Sequence, residues 1–277
     1  MSDDRRVLVL GGGVVGIASA YYLARRGFRV TLVERRSGAA LETSFANGGL
    51  LTPSMSDPWA APGIPGKMLA WMGREDSPFL VRPGAIPGLA AWGLRFLGNC
   101  NAATWRRNTA TILRLCSYSH RTVQTLTRET GITYDLNPSG TLNLFRDRLS
   151  MKAAQRTAEV MGSLGVAYRV LDGPACAELE PALTDQVERI SGGIHYPDDE
   201  AGDAHQFSRS LAEVSAAEGV AFRYGETIRK IETRDGALSA VLTDAGRLDA
   251  EAAVVALGNA SVPLLRPLGI RLPIYPV

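Results

Sequence analysis

The chain has 277 residues, with 30 lysines and arginines against 28 aspartates and glutamates and a formal net charge of +2. This near balance excludes a nucleic-acid-binding protein that depends on a large basic field. Apolar residues make up 45% of the sequence, which suffices for the core of one large domain or two modest ones. No apolar run reaches the roughly 18 residues that a membrane-spanning helix needs, and no signal-peptide core follows the first residues.

The cysteines are isolated in the sequence. Cys100, Cys116 and Cys176 form no CxxC pair and match no standard metal-ligand spacing. We interpret them as buried thiols of a protein in a reducing compartment, and not as a disulfide framework or a metal site. The sequence therefore predicts a cytoplasmic protein without a metal centre.

Residues 7–34 read VLVLGGGVVGIASAYYLARRGFRVTLVE. An apolar strand at Val7–Leu10 precedes three glycines, a helical pattern follows as far as Gly27, and a second apolar strand at Val30–Val33 ends in Glu34. This order of strand, glycine turn, helix, strand and acid is typical of a dinucleotide-binding βαβ unit.

Each residue type in that unit has a physical reason. Gly11 permits the tight turn, Gly13 lets a pyrophosphate approach the backbone, and Gly16 lets the helix lie close to the sheet. The start of the helix offers unpaired N–H groups and the positive end of its dipole to phosphate. Glu34 lies about 20 residues beyond the turn, where its carboxylate can accept hydrogen bonds from ribose hydroxyls and would repel the 2′-phosphate of NADP.

The remaining sequence predicts an alternation of helices and strands. Periodicity and stop signals predict helices over 67–72, 86–96, 105–130, 148–164, 174–179 and 206–218. Strands are predicted over 140–145, 167–171, 191–196, 220–224, 227–233, 238–243 and 247–257, and Val254–Leu257 is also predicted as a separate buried strand that ends at Gly258 before a short helix. On the long helix, a stripe at helical spacing predicts the face that packs in the core: Ile112, Leu115, Cys116, Ser119, Val123 and Leu126.

These elements predict an interleaved α/β fold. A Rossmann-like nucleotide-binding domain takes residues 1–52 and 203–265, and an α+β substrate or cap domain takes 53–202 and 266–277. Residues 52–72 are rich in Pro, Gly and Trp, which is typical of a functional lid or binding surface.

Three groups of polar residues have two interpretations each. Ser44 can cap a short helix or donate to a phosphate. His195 and His205 bracket acidic residues and can be drawn as a metal site, but their spacing matches no standard pattern and favours a structural loop: Asp198, Asp199, Glu200 and Asp203. His120, on the long helix, is a surface or packing residue.

Three tryptophans also have two interpretations. Trp59, Trp71 and Trp92, with neighbouring leucines, methionines and arginines, fit either a surface that docks on a membrane or a cap that is buried against the rest of the protein. The short helical segments around them favour the buried cap.

Several stretches together resemble the FAD-dependent D-amino acid oxidase-like superfamily, and within it the bacterial D-amino acid dehydrogenases. They are VLVLGGGVVGIASAYYL, SGAALETSFANGG, PWAAPGIPGKMLAWM, SGTLNLFR, ELEPAL, GGIHYPDDEAGDAHQF and VVALGNAS. The resemblance implies a Rossmann-like FAD-binding domain with an interleaved substrate domain. Family members continue past the position of Val277 with substrate-domain strands and a glycine-rich flavin-contacting segment, so the fold is expected to be incomplete at its C-terminal end.

The resemblance also implies which residues contact FAD. The pyrophosphate would lie on the glycine turn and its flanks: Val7, Leu10, Gly11, Gly12, Gly13, Val14, Val15 and Gly16. Glu34 would bind the adenosine ribose, with Arg35 and Arg36 at the adenine end. A loop would line the flavin and pyrophosphate: Ser44, Asn47, Gly48, Gly49 and Leu50. Ile228 would present its backbone to the adenine, and Leu257 and Gly258 would pass beside the cofactor.

The reaction implied by the resemblance is the oxidation of a D-amino acid by hydride transfer from Cα to flavin N5, followed by hydrolysis of the imino acid to a 2-oxo acid and ammonia. The electrons would pass to a membrane quinone or another acceptor, and the protein would contact the inner membrane peripherally. The formation of a homo-oligomer is left open. The arginine and tyrosine that clamp the substrate carboxylate are expected beyond Val277, so no catalytic residue is assigned.

Two alternatives remain at this point. One is a related dehydrogenase or oxidase that acts on D-hydroxyproline, glycine or sarcosine. The other is a non-catalytic FAD-binding fragment or subunit, for which we expect the isolated chain to bind FAD weakly, to aggregate through unpaired strand edges and to lack turnover.

Overall fold

The structure is a computed structural model that describes residues 5–71 and 86–274. The described residues form two compact units, which alternate along the chain. The first unit takes its residues from Met1–Gly49, Leu126–Leu136 and Gly202–Val277, and the second from Leu50–Thr125 and Asn137–Ala201. Each unit has a β-sheet and its own apolar cluster.

The boundaries of these units differ from the predicted domains in several places. Residues 50–52, which were expected in the nucleotide-binding domain, belong to the second unit, and Gly202 belongs to the first. Residues 126–136, which were expected in the substrate domain, belong to the first unit. The ring of Tyr134 packs edge-on against Phe207, and the Tyr134 carbonyl accepts a hydrogen bond from the Asp203 amide. The described residues after 265 also belong to the first unit. Which unit serves the cofactor and which the substrate stays a prediction.

The helices and strands lie close to their predicted positions. In chain order the strands are β1 (Arg6–Leu10), β2 (Arg29–Glu34), β3 (Leu50–Leu51), β4 (Thr141–Phe145), β5 (Arg169–Leu171), β6 (Gly192–Tyr196), β7 (Glu200–Ala201), β8 (Ala221–Tyr224), β9 (Ile228–Arg234), β10 (Ala237–Thr243), β11 (Gly246–Asp249) and β12 (Ala252–Val255). The helices are α1 (Val14–Ala24), α2 (Ile64–Trp71), α3 (Ile86–Asn99), α4 (Ala102–Thr130), α5 (Arg148–Ser163), α6 (Gly173–Leu179), α7 (Ala204–Ala217) and α8 (Ser261–Leu265). Short 3₁₀ turns lie at Pro53–Met55, Pro181–Arg189, Gly258–Ala260 and Arg266–Leu268.

The first unit contains a parallel sheet with strand order β12-β1-β2-β8 and an antiparallel meander with order β11-β10-β9. A shared apolar cluster joins them, with Leu8 and Leu10 of β1 packed with Ile231 and Val241 of the meander. A parallel strand buried on both faces reads as a continuous apolar run, which is the reason that β1 was predictable from VLVL. The α/β Rossmann-like fold class is confirmed.

The second unit contains the antiparallel sheet β4-β6-β5 and the strand pair β3-β7. Ala158 of α5 packs on Ile194 and Tyr196 of β6 to form its apolar cluster. The two-residue strands β3 and β7 were missed by the sequence analysis, which placed both segments in loops. Strands this short carry no periodic signal, and their pairing joins residues 150 positions apart.

The predicted strand over 247–257 is wrong as a single element. Residues Gly246–Asp249 pair with the meander as β11, whereas Ala252–Val255 pair with β1 as β12. Ala250, with 6% exposure, lies between the two strands. The chain crosses from one sheet to the other here without a glycine or proline, so nothing in the local pattern marks the break.

The buried face of α4 also differs from the predicted stripe. Leu115 is 68% exposed and Ile112 is at the surface, while Thr109, Leu113 and His120 are buried. The prediction counted apolar side chains, but polar ones fill part of the buried face because their hydrogen-bonding groups have partners. The Thr109 hydroxyl donates to the Trp105 carbonyl, and His120 is paired as described below. His120 is therefore a packing residue.

A pair of leucine substitutions tests this face of α4. Leu113→Ala is expected to lower the free energy of unfolding by about 2 to 4 kcal/mol, because it leaves a cavity beneath the helix. Leu115→Ala is expected to change it by less than about 0.5 kcal/mol, since that side chain faces solvent. Denaturant titration of both variants checks the expectation. A larger loss of unfolding free energy for Leu115→Ala than for Leu113→Ala would show that the predicted stripe is the buried face.

In the part of the chain that the structure describes, no helix combines the length and the apolar character needed to cross a bilayer. Helix α2 starts three residues before its predicted start at Lys67, and the predicted end at Met72 lies outside the described residues. Trp59 is 65% exposed, and Trp92 stacks on Phe96. The side chain of Trp71 lies outside the described set.

Candidate functional site

The glycine turn lies at the carboxyl edge of the parallel sheet, between β1 and α1. Because Leu10 pairs with both Val33 of β2 and Val255 of β12, the residues that follow these three strands meet at one edge. The order of the sheet reverses at β1, and ligands of open α/β sheets bind at such a reversal. The glycine turn therefore lies where open α/β sheets bind their ligands.

Two glycines of the turn have no room for a side chain. Gly11 has a φ of +109°, and a Cβ atom on it would lie 2.5 Å from the carbonyl oxygen of Ala256. A Cβ atom on Gly16 would lie 1.9 Å from the carbonyl oxygen of Gly11, so α1 packs directly on the turn. Both residues must be glycine for the helix and the turn to keep these positions.

Gly13 differs from these two because its surroundings are open. Its backbone is extended, and among the described atoms a Cβ would approach the Ser44 hydroxyl at 3.4 Å. Helix α1 has no acidic residue in its first turn. The amides of that turn and the positive end of the helix dipole thus face a space that an anion can occupy.

Glu34 is fixed beneath the turn. Its side chain is buried, its Oε2 accepts a hydrogen bond of 2.7 Å from the Gly12 amide, and its Oε1 accepts one of 2.8 Å from the Arg36 amide. Each carboxylate oxygen keeps a lone pair for a further donor. The nearby Tyr224 lies on β8 opposite Glu34, and burial together with this carboxylate raises the pKa of its hydroxyl.

Arg35 and Arg36 follow Glu34 and point away from it. Both guanidinium groups bind the same partner, the carboxylate of Glu42, and all three side chains are largely exposed. The hydrogen bonds from Arg36 and Arg35 hold the pKa of the Glu42 carboxyl below its usual value. The two arginines therefore form a solvent-facing cluster at the end of β2.

Ser44 caps the start of α1 and not a short helix beside it in the sequence. Its hydroxyl oxygen accepts a hydrogen bond of 3.1 Å from the amide of Val14, the first residue of α1, across 30 residues of sequence. Ser44 is buried, and no described helix starts beside it. Because the oxygen is the acceptor in this bond, the hydroxyl hydrogen remains available at the start of α1.

The loop after Ser44 is closed by its own side chain. The Asn47 side chain accepts a hydrogen bond of 2.7 Å from the Gly49 amide, forming a turn around Gly48. Gly49 has a φ of +60°, and a Cβ on it would lie 2.3 Å from the carbonyl oxygen of Gly202. The Gly202 amide in turn donates to the Gly49 carbonyl. Leu50 starts β3 opposite Ala201 and is 49% exposed.

The other predicted cofactor residues divide into two groups. Val14 starts α1 and Val15, on the first turn, is 65% exposed, so both flank the glycine turn. Leu257 and Gly258 follow β12 at the same edge of the sheet, where Gly258 has a φ of +55°.

Val7, Leu10 and Ile228 are part of the core. Val7 is buried three residues before Leu10, about 10 Å from the edge that carries the turn. Leu10 is fully buried, and Ile228 packs against the same cluster from β9. The cofactor contacts expected at Val7, Leu10 and Ile228 stay predictions.

The histidines and acids drawn as a possible metal site have other partners. The Arg169 guanidinium lies 2.9 Å from Nδ1 of His195, and the Ser139 carbonyl lies 3.2 Å from its Nε2. Because guanidinium only donates and carbonyl only accepts, His195 is the neutral tautomer protonated on Nε2. His205 stacks on Phe45 in the first unit. The described residues hold no group of three or more histidines, cysteines or acids arranged for a metal.

Two neighbouring acids of that segment are buried and were not recognised from the sequence. Asp199, with 2% exposure, accepts hydrogen bonds from the amide and hydroxyl of Ser54 and from the Thr141 hydroxyl. Glu200 accepts a hydrogen bond of 2.8 Å from Gln124, and its other oxygen lies 3.0 Å from Nε2 of His120. These contacts hold the β3-β7 pair to β4 and α4. They join residues 58 to 145 positions apart, so no local signal reveals them.

Asp199→Ala is expected to lower the free energy of unfolding by about 2 to 3 kcal/mol, because it removes the acceptor of three hydrogen bonds to a buried carboxylate. The exposed neighbour Asp198 provides the control, and Asp198→Ala is expected to change stability by less than about 0.5 kcal/mol. Urea denaturation of the two variants measures the difference. Equal urea midpoints for the two variants would show that the hydrogen bonds of Asp199 contribute nothing to stability.

A family model described as FAD dependent oxidoreductase (DAO) matches residues 6–277. The chain belongs to the FAD dependent oxidoreductase family. FAD is thus the cofactor of its family, and the predicted family resemblance is confirmed.

Several curated relatives in this family are D-amino acid dehydrogenases. That of Methylobacterium nodulans is 46% identical over 273 residues, and that of Methylobacterium radiotolerans is 47% identical over 272 residues. Each alignment covers 98% of this chain and 65% of the relative, so the chain spans less than two thirds of the length of these relatives.

Solved structures share the fold of the chain. The glycine oxidase of Geobacillus kaustophilus matches with a TM-score of 0.68 at 22% identity, covering 98% of this chain and 60% of that one. The L-proline dehydrogenase of P. horikoshii matches with a TM-score of 0.67 at 17% identity, covering 98% and 57%. At these identities the likeness concerns the fold alone.

The residues of the first unit fit the adenosine diphosphate half of FAD. The space above Gly13 would admit a phosphate oxygen, and the first turn of α1 brings amides and no acid to it. The Glu34 carboxylate lies at the same edge and keeps acceptor capacity for ribose hydroxyls. A member of the FAD dependent oxidoreductase family with this turn has the groups that the cofactor requires at its adenine end.

Proposed function

We propose that this protein is a FAD-dependent D-amino acid dehydrogenase, which converts a D-amino acid to a 2-oxo acid and ammonia. The observation that carries the proposal is the identity of 46% over 273 residues with a D-amino acid dehydrogenase. The glycine turn supports the cofactor, and the identity supports the substrate class. Because the chain spans 65% of that relative, the proposal concerns the activity of the whole protein.

In this proposal the first unit binds the adenine half of the cofactor. Gly11, Gly13 and Gly16 shape the turn on which the pyrophosphate lies, and the Ser44 hydroxyl donates to it at the start of α1. Glu34 accepts hydrogen bonds from the ribose, with Arg35 and Arg36 at the adenine side. The remaining predicted contacts stay part of the proposal: Val7, Leu10, Gly12, Val14, Val15, Asn47, Gly48, Gly49, Leu50, Ile228 through its backbone, Leu257 and Gly258.

When bound, the flavin supplies an N5 atom that takes up a hydride from the substrate Cα. The contribution of the chain is to hold the cofactor in a fixed position, since orientation of the reacting atoms supplies much of the rate. No residue among 5–71 and 86–274 is assigned a proton transfer or the binding of the substrate carboxylate. Electron transfer to a quinone or another acceptor, peripheral contact with the inner membrane and a homo-oligomer are part of the proposal as well.

The test is a steady-state survey of the purified whole protein loaded with FAD. D-amino acids, their L-enantiomers, glycine, sarcosine and D-hydroxyproline are each supplied with a dye acceptor or with oxygen. The proposal expects turnover of D-amino acids with the dye. Preference for glycine, sarcosine or D-hydroxyproline, or faster turnover with oxygen, would replace it with the related amine dehydrogenase or oxidase. Bound FAD without turnover of any amine would favour the non-catalytic FAD-binding alternative.

A further inference from the structure

The parallel sheet of the first unit carries two arginines side by side at its amino edge. Arg6 of β1 is paired in register with Arg29 of β2. Paired residues of neighbouring strands point to the same face, so the two guanidinium groups share one face of the sheet. Like charges at opposite positions destabilise a sheet, and among residues 5–71 and 86–274 no acid pairs with Arg6. The fold therefore gains nothing from this arrangement, whereas a bound anion would.

The two arginines line a cavity of about 590 Å³ on that face. Its floor contains one row of the strand register, which runs from Leu8 of β1 through Thr31 of β2 to Ala221 of β8. Ala221 is exposed and Thr31 is partly exposed, so the described elements leave this part of the sheet open. The Thr31 hydroxyl has no hydrogen-bond partner among the described residues and is available as a donor. A cavity of this volume is large enough for a small molecule.

Two further arginines line the same cavity. The Nε of Arg223, on β8, donates to the buried carboxylate of Glu226, which fixes the guanidinium and leaves its terminal N–H groups without an acceptor among the described residues. Arg247, on β11, is held by Glu232 and Asp249 and forms a wall of the cavity. Among the described lining residues Asp249 is the only acid, against four arginines. The cavity is therefore complementary to a negatively charged molecule.

We propose that Arg6, Arg29, Arg223 and Thr31 bind a small anion that carries two or more phosphate or carboxylate groups. The planar fork of a guanidinium matches both of these groups, and two arginines side by side match a ligand with two of them. The cavity lies about 13 Å along β1 from the glycine turn, at the opposite edge of the sheet, so both can be occupied together. Binding requires no turnover, and the proposal is therefore independent of the proposed dehydrogenase activity.

The test is isothermal titration calorimetry of the purified whole protein with inorganic pyrophosphate and, separately, with citrate. The protein is first saturated with FAD, so that neither anion binds at the glycine turn. At least one of the two anions is expected to bind with one-to-one stoichiometry and more weakly as salt is raised, and the tighter of them identifies the preferred group. Arg6→Gln is expected to weaken this binding about ten- to a hundredfold. Thr31→Val, which changes no charge, is expected to weaken it at least about threefold.

Arg209→Gln is the matched control, because Arg209 is exposed on α7 of the same unit and does not line the cavity. It is expected to retain anion binding within about twofold. Thermal melting without the anion establishes that the variants are folded, and Arg6→Gln is expected to melt no lower than the unsubstituted protein at low salt, since it removes the like-charge pair. Failure of both anions to bind, or equal weakening of binding by Arg6→Gln and Arg209→Gln, would overturn the proposal.

Discussion

Gly16→Ala is expected to lower the free energy of unfolding by about 3 kcal/mol and to abolish FAD binding in the temperature range where the variant is folded. The added Cβ would lie 1.9 Å from the carbonyl oxygen of Gly11, which is backbone and cannot rotate away. Helix α1 would have to move off the turn, and its first-turn amides would move with it. The readouts are urea denaturation of the chain without cofactor and a fluorescence titration with FAD.

Gly13→Ala provides the matched comparison, three residues away on the same turn. Its backbone is extended and its Cβ would approach the Ser44 hydroxyl at 3.4 Å, so the stability without cofactor is expected to change by less than about 0.5 kcal/mol. FAD affinity is nevertheless expected to fall by at least about tenfold, because the methyl group takes the space of a phosphate oxygen. Gly16→Ala thus tests the packing of α1 on the turn, and Gly13→Ala tests the binding of the cofactor. Unchanged FAD affinity in Gly13→Ala would remove the turn from the proposed site.

Glu34→Ala is the second substitution with a large expected effect. Its carboxylate accepts from the amides of Gly12 and Arg36, and Gly12 is buried. Removal leaves the Gly12 amide without an acceptor, so the free energy of unfolding is expected to fall by about 1 to 3 kcal/mol. Loss of the ribose contacts is expected to weaken FAD binding to the folded protein by about ten- to a hundredfold. Denaturant titration and FAD titration measure the two effects separately.

Glu42→Ala is the control for charge at this edge. Glu42 binds both Arg35 and Arg36, yet the three side chains are largely exposed, and exposed ion pairs contribute little to stability. Its stability is expected to stay within about 1 kcal/mol of the unsubstituted chain, and its FAD affinity within about threefold. If Glu42→Ala weakened FAD binding as much as Glu34→Ala, the ribose role of Glu34 would be refuted.

The βαβ unit was predictable because its signals are local. An apolar run that ends in three glycines, a helical period and a second apolar run that ends in an acid each occupy a few consecutive residues. The structure places β1, α1 and β2 at the predicted positions, and the contacts of Gly11 and Gly16 supply the reasons for these glycines. Val7, at the start of the motif, packs in the core, as the apolar run predicts.

The contacts of Ser44 are an example of what could not be predicted from the sequence. One predicted role was to cap a nearby helix and the other was to bind a phosphate. In the structure the Ser44 hydroxyl accepts from the first amide of α1, 30 residues earlier. The pairs Asp199–Ser54 and Glu200–Gln124 are of the same kind, since each joins a buried acid to a donor far along the chain. A polar residue that is satisfied by a distant group looks like any surface residue in the sequence.

The sequence alone determined most of the elements and the place of the glycine turn, because backbone preferences and apolar periods act over a few residues. The family followed from the resemblance of several motifs. Only the tertiary structure decided which face of α4 is buried, where the chain passes from β11 to β12, and which amides the Glu34 and Ser44 side chains bind. The reason is physical. Burial of a polar group depends on the partner that compensates its lost water, and that partner is supplied by another part of the fold.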